Sequence, residues 1–438
     1  MDFSPMTLAL CKLLAVCATF IILLRFRVPL WLTIGAGCME TALFSNLHPY
    51  SWPSILAGVL GNADFLFLCL MIFLIMFLSR LQDATGQSKK LVTGLERHLG
   101  SKRIGLVLFP ALVGLLPMPG GALFSCPMVR TAAEGTGISE RRKALINYWF
   151  RHIWELAWPL YPGYALICSL LQIPLTLYWR YTFPLVFMSL GLGCFFYLRN
   201  IENSVELHTA SDASQKQETD ESLFAALLNA LPVVVTLVGA GVFGLVFDRL
   251  FPNLPGQAAF SVALTLGTGT ALWQGRRDLS EPLHATAFNR GMARMMLLLL
   301  ALFVFKDVVR AAGIVDAFNH IGVTVPLVAL TFIAVPLLCG VLAGVMVGYV
   351  GMCFPILLGV LHTTPGLSPY TAPLIVLATV AGNCGQLLSP VHVCLVVTGE
   401  YFSISLPAML RRLALPTALF LIGGTLWSFC LYFFNAHF

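Results

Sequence analysis

The chain has 438 residues, 58% of them hydrophobic and 11% charged. Soluble globular domains carry about 25% charged residues, so this composition excludes a soluble enzyme and a disordered chain and leaves a polytopic helical membrane protein. The formal net charge of +6 is assigned to membrane topology rather than to nucleic-acid binding, because the basic residues cluster between apolar runs.

Hydropathy predicts spans over residues 6–24, 28–46, 54–79, 143–170, 174–198, 223–247, 257–274, 290–306, 370–398 and 407–434. The N-terminus, Met-Asp-Phe-Ser-Pro, has no basic n-region and no small-residue cleavage site, so it reads as a first span and not a signal peptide. Residues 200–222 form the one long polar stretch and read as a flexible linker between two halves, 1–199 and 223–438. The 12 cysteines contain no C-x-x-C pair and lie mostly in apolar runs, where they act as small hydrophobes. The local spacing predicts no disulfide framework, no metal site and no cofactor.

Two apolar segments, 104–130 and 325–361, are interrupted. In the first, Phe109–Val129 is broken at its middle by Pro117, Pro119, Gly120 and Gly121, and a helix cannot run through Pro-Met-Pro-Gly-Gly. Each half then makes about 18 Å of helix, which reaches only the mid-depth of a hydrocarbon core about 30 Å thick. The prediction is a re-entrant helical hairpin with its tip at the midplane, where irregular backbone is tolerated only if buried in protein or lining a wet cavity. The second segment, Gly340 to Gly351, carries Gly340, Gly344 and Gly348 at four-residue spacing. That spacing suits close helix packing, and the turn is expected nearer Gly348 and Gly351.

Placing the Arg80–Arg103 region in the cytoplasm puts 20 of the 26 Lys and Arg on that side and both termini outside. The halves also look related. Gly86 pairs with Gly313, Pro110 with Pro336, Gly114 with Gly340, Pro127 with Pro355 and Pro159 with Pro390, at offsets of 226 to 231 residues. The fold class expected is therefore all-α: an inverted repeat of two halves, each with five transmembrane helices and one re-entrant hairpin, a plan that recurs in carriers.

Four elements should meet at the pseudo-two-fold axis. The first tip offers free N–H groups at the start of its second arm, with Ser125 one turn on, and suits an anion. The span Ala381–His392 holds Gly382, Gly385 and Pro390, which are expected to unwind it, and Asn383, Gln386, Ser389 and His392, which supply polar groups at depth. Its counterpart, Asn147–Pro159, carries Arg151, His152 and Glu155. Charges inside a span face the interior and mark a route. Arg151 suits an anionic substrate through its planar fork. His152 and Glu155 suit a coupling proton, and Asn383, Gln386 and His392 complete the coupling-ion set. The bland alternative for these residues is a structural Arg–Glu pair and a kinked helix with satisfied amides.

The stretches Leu-Leu-Pro-Met-Pro-Gly-Gly-Ala-Leu-Phe-Ser and Gln386-Leu-Leu-Ser-Pro-Val-His-Val-Cys-Leu395 resemble the signatures of domain-of-unknown-function family 401, prokaryotic integral membrane proteins grouped with the ion transporter superfamily. The resemblance implies an inverted-repeat carrier in the cytoplasmic membrane, working as a homodimer with an elevator-like motion. The Ser-Asn-Thr motifs of the dicarboxylate–sodium branch are absent from both hairpins; Asn383 and Ser389 offer a loose parallel outside them. The function expected is secondary active transport of a small anion coupled to H⁺ or Na⁺. The alternatives are a cation/proton antiporter and, remotely, an intramembrane hydrolase using Ser125 or Ser389 with a histidine. No G-x-S-x-G or H-E-x-x-H motif supports the last, so a non-enzyme is expected.

Overall fold

A computed structural model describes residues 5–98, 102–115, 121–199, 223–251, 254–279, 282–312, 325–364 and 366–434, and every regular element among them is helical. The first half runs α1 (Pro5–Arg25), α2 (Leu30–Phe44), α3 (Ser51–Leu60), α4 (Ala63–Ala84), α5 (Gln87–His98), α6 (Lys102–Leu115), α7 (Ala122–Ala132), α8 (Glu140–Arg151), α9 (Pro162–Leu171) and α10 (Leu175–Tyr197). The second runs α11 (Leu223–Leu228), α12 (Leu231–Leu250), α13 (Gly256–Gly275), α14 (Leu283–Ala287), α15 (Arg290–Ala311), α16 (Val325–Ala343), α17 (Met346–Thr363), α18 (Thr371–Leu387), α19 (Val393–Tyr401) and α20 (Leu406–Phe433). The polar stretch 200–222 lies outside the described residues. The helices α4, α16 and α20 are long and apolar enough to cross a membrane. With the composition, they make this a membrane protein.

Two predicted spans are corrected. The run 54–79 is two helices, α3 and α4, because the Asn62 side chain accepts the Phe65 N–H at 3.1 Å and starts a new helix there. The run 223–247 is likewise two, α11 and α12. Pro232, in the first turn of α12, has no N–H to continue the preceding helix.

The shorter helices fall into antiparallel pairs and broken pairs. α6 packs on α7, and α16 on α17. At 1.5 Å per residue the 14 residues of α6 and 11 of α7 reach about 21 and 16 Å, well short of a bilayer core. α16 is longer, at 19 residues. Two buried clusters hold the fold together. One gathers side chains of α2, α4, α9, α15, α16 and α17; the other gathers those of α6, α7, α8, α19 and α20. α18 has a face in each, and every residue from Ala372 to Leu387 is buried.

Candidate functional site

The first broken helix starts normally. Ser139 caps α8 by accepting the Arg142 N–H, with Glu140 in the first turn. It stops at Arg151, and residues 152–161 form turns before α9 begins at Pro162. Pro159 disfavours helical geometry at Trp158 and has no N–H for the preceding turn, which keeps the far end of this segment from rejoining α9 as one helix. The turns answer a local need. α6 ends at Leu115, and its last carbonyls have no partner within the helix. Side chains of the break supply them. Trp154 Nε1 donates to the Ala111 carbonyl at 3.0 Å, Arg151 Nη1 to Val113 at 3.3 Å, the Tyr161 hydroxyl to Gly114, and Trp158 Nε1 to Leu115 at 2.8 Å.

Arg151 is gripped by both arms of this hairpin. A Cβ at Gly121, where α7 starts, would lie 2.6 Å from its guanidinium, and a Cβ at Gly114 would strike its carbonyl. Pro117, Pro119 and Gly120 of the tip lie outside the described residues. Ser125 is buried and turned back on its own helix, with its hydroxyl toward the Gly121 and Ala122 carbonyls.

The second broken helix is α18–α19, interrupted over Leu388–His392 around Pro390. Here too the break serves a hairpin. Ser389 Oγ donates to the Val341 carbonyl at 2.6 Å, and His392 Nδ1 donates to the Gly344 carbonyl at 2.6 Å. Gly344 is the turn between α16 and α17. Its φ of +61° is a left-handed conformation that glycine adopts without a Cβ penalty.

The glycine expectations are therefore corrected. Gly348 and Gly351 lie inside α17, where a Cβ would meet Leu30 and Ala343 at the first and Leu302 at the second. Gly382 and Gly385 do not unwind the span; α18 is continuous through both. A Cβ at Gly385 would strike the Leu337 carbonyl, one at Gly340 the Gly382 carbonyl, and one at Gly382 the Tyr349 ring. Gly340 and Gly385 let the backbones of α16 and α18 approach closely, and Gly382 makes room for the Tyr349 ring of α17.

The two breaks meet. His152 Nε2 lies 2.9 Å from His392 Nε2 across 240 residues of sequence. The Tyr148 hydroxyl donates to the Leu387 carbonyl at 3.0 Å. Glu155 Oε2 accepts from Asn383 Nδ2 at 3.1 Å and from Gln386 Nε2 at 2.7 Å, while Oε1 stands 3.9 Å from His152 Nε2. Arg151, His152, Glu155, Asn383, Gln386 and His392 are all buried, none more than 6% exposed. The Gln386 Oε1 and Asn147 Oδ1 oxygens are buried with no hydrogen-bond partner among the described residues. Such groups cost free energy in a low-dielectric interior unless something pairs with them.

The proton positions on the two histidines follow from their partners. His152 Nδ1 contacts the Tyr148 carbonyl and His392 Nδ1 the Gly344 carbonyl. A carbonyl only accepts, so both Nδ1 atoms carry hydrogen. In the neutral rings both Nε2 atoms are then bare lone pairs aimed at each other, an arrangement that calls for a cation between them. Cys394 joins this point: its sulfur and the two histidine nitrogens lie within 4.8 Å of one another.

The fold thus brings together Arg151, His152, Glu155, Asn383, Gln386, Ser389 and His392, and sets Ser125, Gly348 and Gly351 apart in helix packing. Sequence reasoning missed Cys394, Gly344, and the capping residues Trp154, Trp158 and Tyr161. The density of Trp and Tyr in residues 148–161 was a usable signal, since each brings one donor to a segment otherwise poor in them.

No curated protein matches this sequence. Among solved structures, the chain is similar to the Alcanivorax borkumensis YdaH transporter, whose structure was described as revealing an unusual topology. The TM-score is 0.61 at 13% identity, covering 88% of this chain and 89% of that one. Residues 8–429 match the family described as Protein of unknown function (DUF401), and this chain belongs to that family.

Proposed function

We propose that this protein is a secondary transporter of a small anion, a carboxylate or oxyanion, coupled to H⁺ or Na⁺. The observation that carries the reading is the convergence of two helix breaks on one buried cluster of Arg151, His152, Glu155, Asn383, Gln386 and His392. Isolated charges inside a bilayer are expensive and persist where they bind or conduct something. The protein it resembles in fold, YdaH, is a transporter.

In this reading the halves are inverted repeats of the ion transporter superfamily plan. Reciprocal packing supports it: α2 on α15 and α13 on α4, α7 on α19 and α17 on α9, α8 on α10 and α18 on α20. Arg151, at the end of α8 with its guanidinium against the start of the second arm of the first hairpin, supplies the positive charge for the anion. Glu155 is the coupling group. Its Oε1 takes a proton, or holds Na⁺ together with the unpartnered Gln386 oxygen. Both termini lie outside the cytoplasmic membrane, as the basic residues require.

The test is reconstitution into liposomes with a panel of labelled carboxylates and oxyanions under an inward H⁺ or Na⁺ gradient. Gradient-driven accumulation of a panel member is expected, lost in Arg151→Gln and in Glu155→Gln proteins that remain monodisperse. Absence of accumulation across the panel, or equal accumulation by wild type and both folded variants, refutes the proposal.

A further inference from the structure

The geometry points to a binding site for a divalent metal ion of the Zn²⁺ class, built where the two helix breaks touch, with His152 Nε2, His392 Nε2 and Cys394 Sγ as ligands and Glu155 Oε1 in the fourth position. Four observations meet there. The two Nε2 atoms face each other at 2.9 Å, and each ring is fixed in the ligating tautomer by its Nδ1 contact to a backbone carbonyl. Metal-binding histidines characteristically donate their other ring N–H in this way. The Cys394 sulfur lies within 4.8 Å of both nitrogens. The Glu155 carboxylate stands 3.9 Å from His152 Nε2, and its other oxygen is held by the Asn383 and Gln386 amides, as an oriented carboxylate ligand is.

The histidine pair suits a tetrahedral ion, and the Cys394 sulfur and the Glu155 carboxylate close on it by side-chain rotation. Zn–N bonds of about 2.0–2.1 Å imply an N···N edge of about 3.3 Å, so the histidine rings need part by only a few tenths of an ångström. A thiolate and a carboxylate neutralise a divalent ion, which a buried site needs. The Arg151 guanidinium bonds the Val113 carbonyl and also reaches Cys394, so it stands beside the site as an opposing positive charge. A shared proton satisfies the two nitrogens alone; the sulfur clustered with them, and a carboxylate 3.9 Å from one of them, are what a metal ion uses. Imidazole with thiolate selects Zn²⁺ over hard cations such as Mg²⁺ or Ca²⁺. The site lies just beneath the surface. Cys394 is half-buried, and its neighbours Val391 and Val393 are exposed. A bound ion ties α8, α18 and α19 into one unit, because the ligands come from both breaks.

The inference does not rest on the transport reading, because uptake of metal is measured without flux, and the two compete for Glu155 Oε1, which cannot carry a coupling ion while it ligates the metal. The full-length protein, purified in detergent and stripped with chelator, is titrated with Co²⁺. One ion per chain is expected, with the intense visible bands of tetrahedral Co²⁺ and a near-ultraviolet thiolate charge-transfer band, both abolished by excess Zn²⁺. Cys394→Ser should lose the charge-transfer band, and His392→Gln should lose at least tenfold in affinity, both while eluting as the wild type does. A second measurement needs no variant. Zn²⁺ should slow maleimide labelling of Cys394 in the wild type at least tenfold, read site by site by mass spectrometry. No tetrahedral spectrum in wild type, the same spectrum in both variants, or labelling of Cys394 indifferent to Zn²⁺ overturns the proposal and leaves a shared proton between the two rings.

Discussion

Replacing Gly344 by alanine tests whether the second hairpin turn presses on the break of α18–α19. Two costs add at this position. The φ of +61° puts an L-residue in the left-handed region, at about 1–2 kcal/mol. The new Cβ would also lie 2.9 Å from Ser389 Oγ, 3.0 Å from the His392 nitrogen and 3.0 Å from Val391 Cγ2. The serine hydroxyl is held by the Val341 carbonyl and the His392 nitrogen, a backbone atom, donates to the Ser389 carbonyl, so neither is free to swing away, and overpacking of this kind costs about 1–3 kcal/mol. Gly86 is the control. Its φ is +69°, yet a Cβ there meets nothing within 4 Å. Gly86→Ala carries the backbone cost alone, and both substitutions stiffen the unfolded chain alike. The difference between them isolates the contact. Equilibrium unfolding in mixed micelles of sodium dodecyl sulfate and a mild detergent, read by tryptophan fluorescence, should place Gly344→Ala below Gly86→Ala by about 1–3 kcal/mol. Equal destabilisation by the two would show that the turn does not bear on Ser389 and His392, and the coupling of hairpin to break would fall with it.

Other outcomes follow from the same geometry. Tyr161→Phe and Trp158→Phe each leave a carbonyl at the end of α6 without its donor, at about 1–3 kcal/mol per substitution; the same unfolding measurement should resolve both, and wild-type stability in either would show that water already reaches that end. Gly340→Val drives a side chain into the Gly382 carbonyl, so monodisperse yield after extraction should collapse, whereas Gly35→Val, at a glycine with nothing within 4 Å, should leave it near wild type. Lys90→Ala removes an exposed bridge to Asp278 of 2.7 Å, and its effect on stability should stay below about 1 kcal/mol and shrink further in high salt. Glu155→Gln leaves an oxygen for the Asn383 and Gln386 amides but no negative charge. It should stay folded while Co²⁺ affinity falls, and unchanged affinity would remove Glu155 from the fourth ligand position.

The membrane class and the two broken spans were legible in the sequence, for a local reason. Proline withholds a donor from the preceding turn, but it does not decide a break alone: α6, α7, α16 and α17 run through Pro110, Pro127, Pro336 and Pro355, whereas the spans break near Pro159 and Pro390, where polar side chains crowd the same segment. The identities of Arg151, His152 and Glu155 were equally plain, because a charge within an apolar run stands out from its neighbours. Tertiary structure decided the rest. Glycine reads the same whether it forms a turn or admits a neighbouring backbone, and only the approach of α16 to α18 shows that Gly340 and Gly385 do the second while Gly344 does the first. Cys394 looked like one more small hydrophobe until the fold carried His152 across 240 residues to His392 beside it. Partners of that kind are set by how helices pack in three dimensions, and no spacing along the chain encodes them.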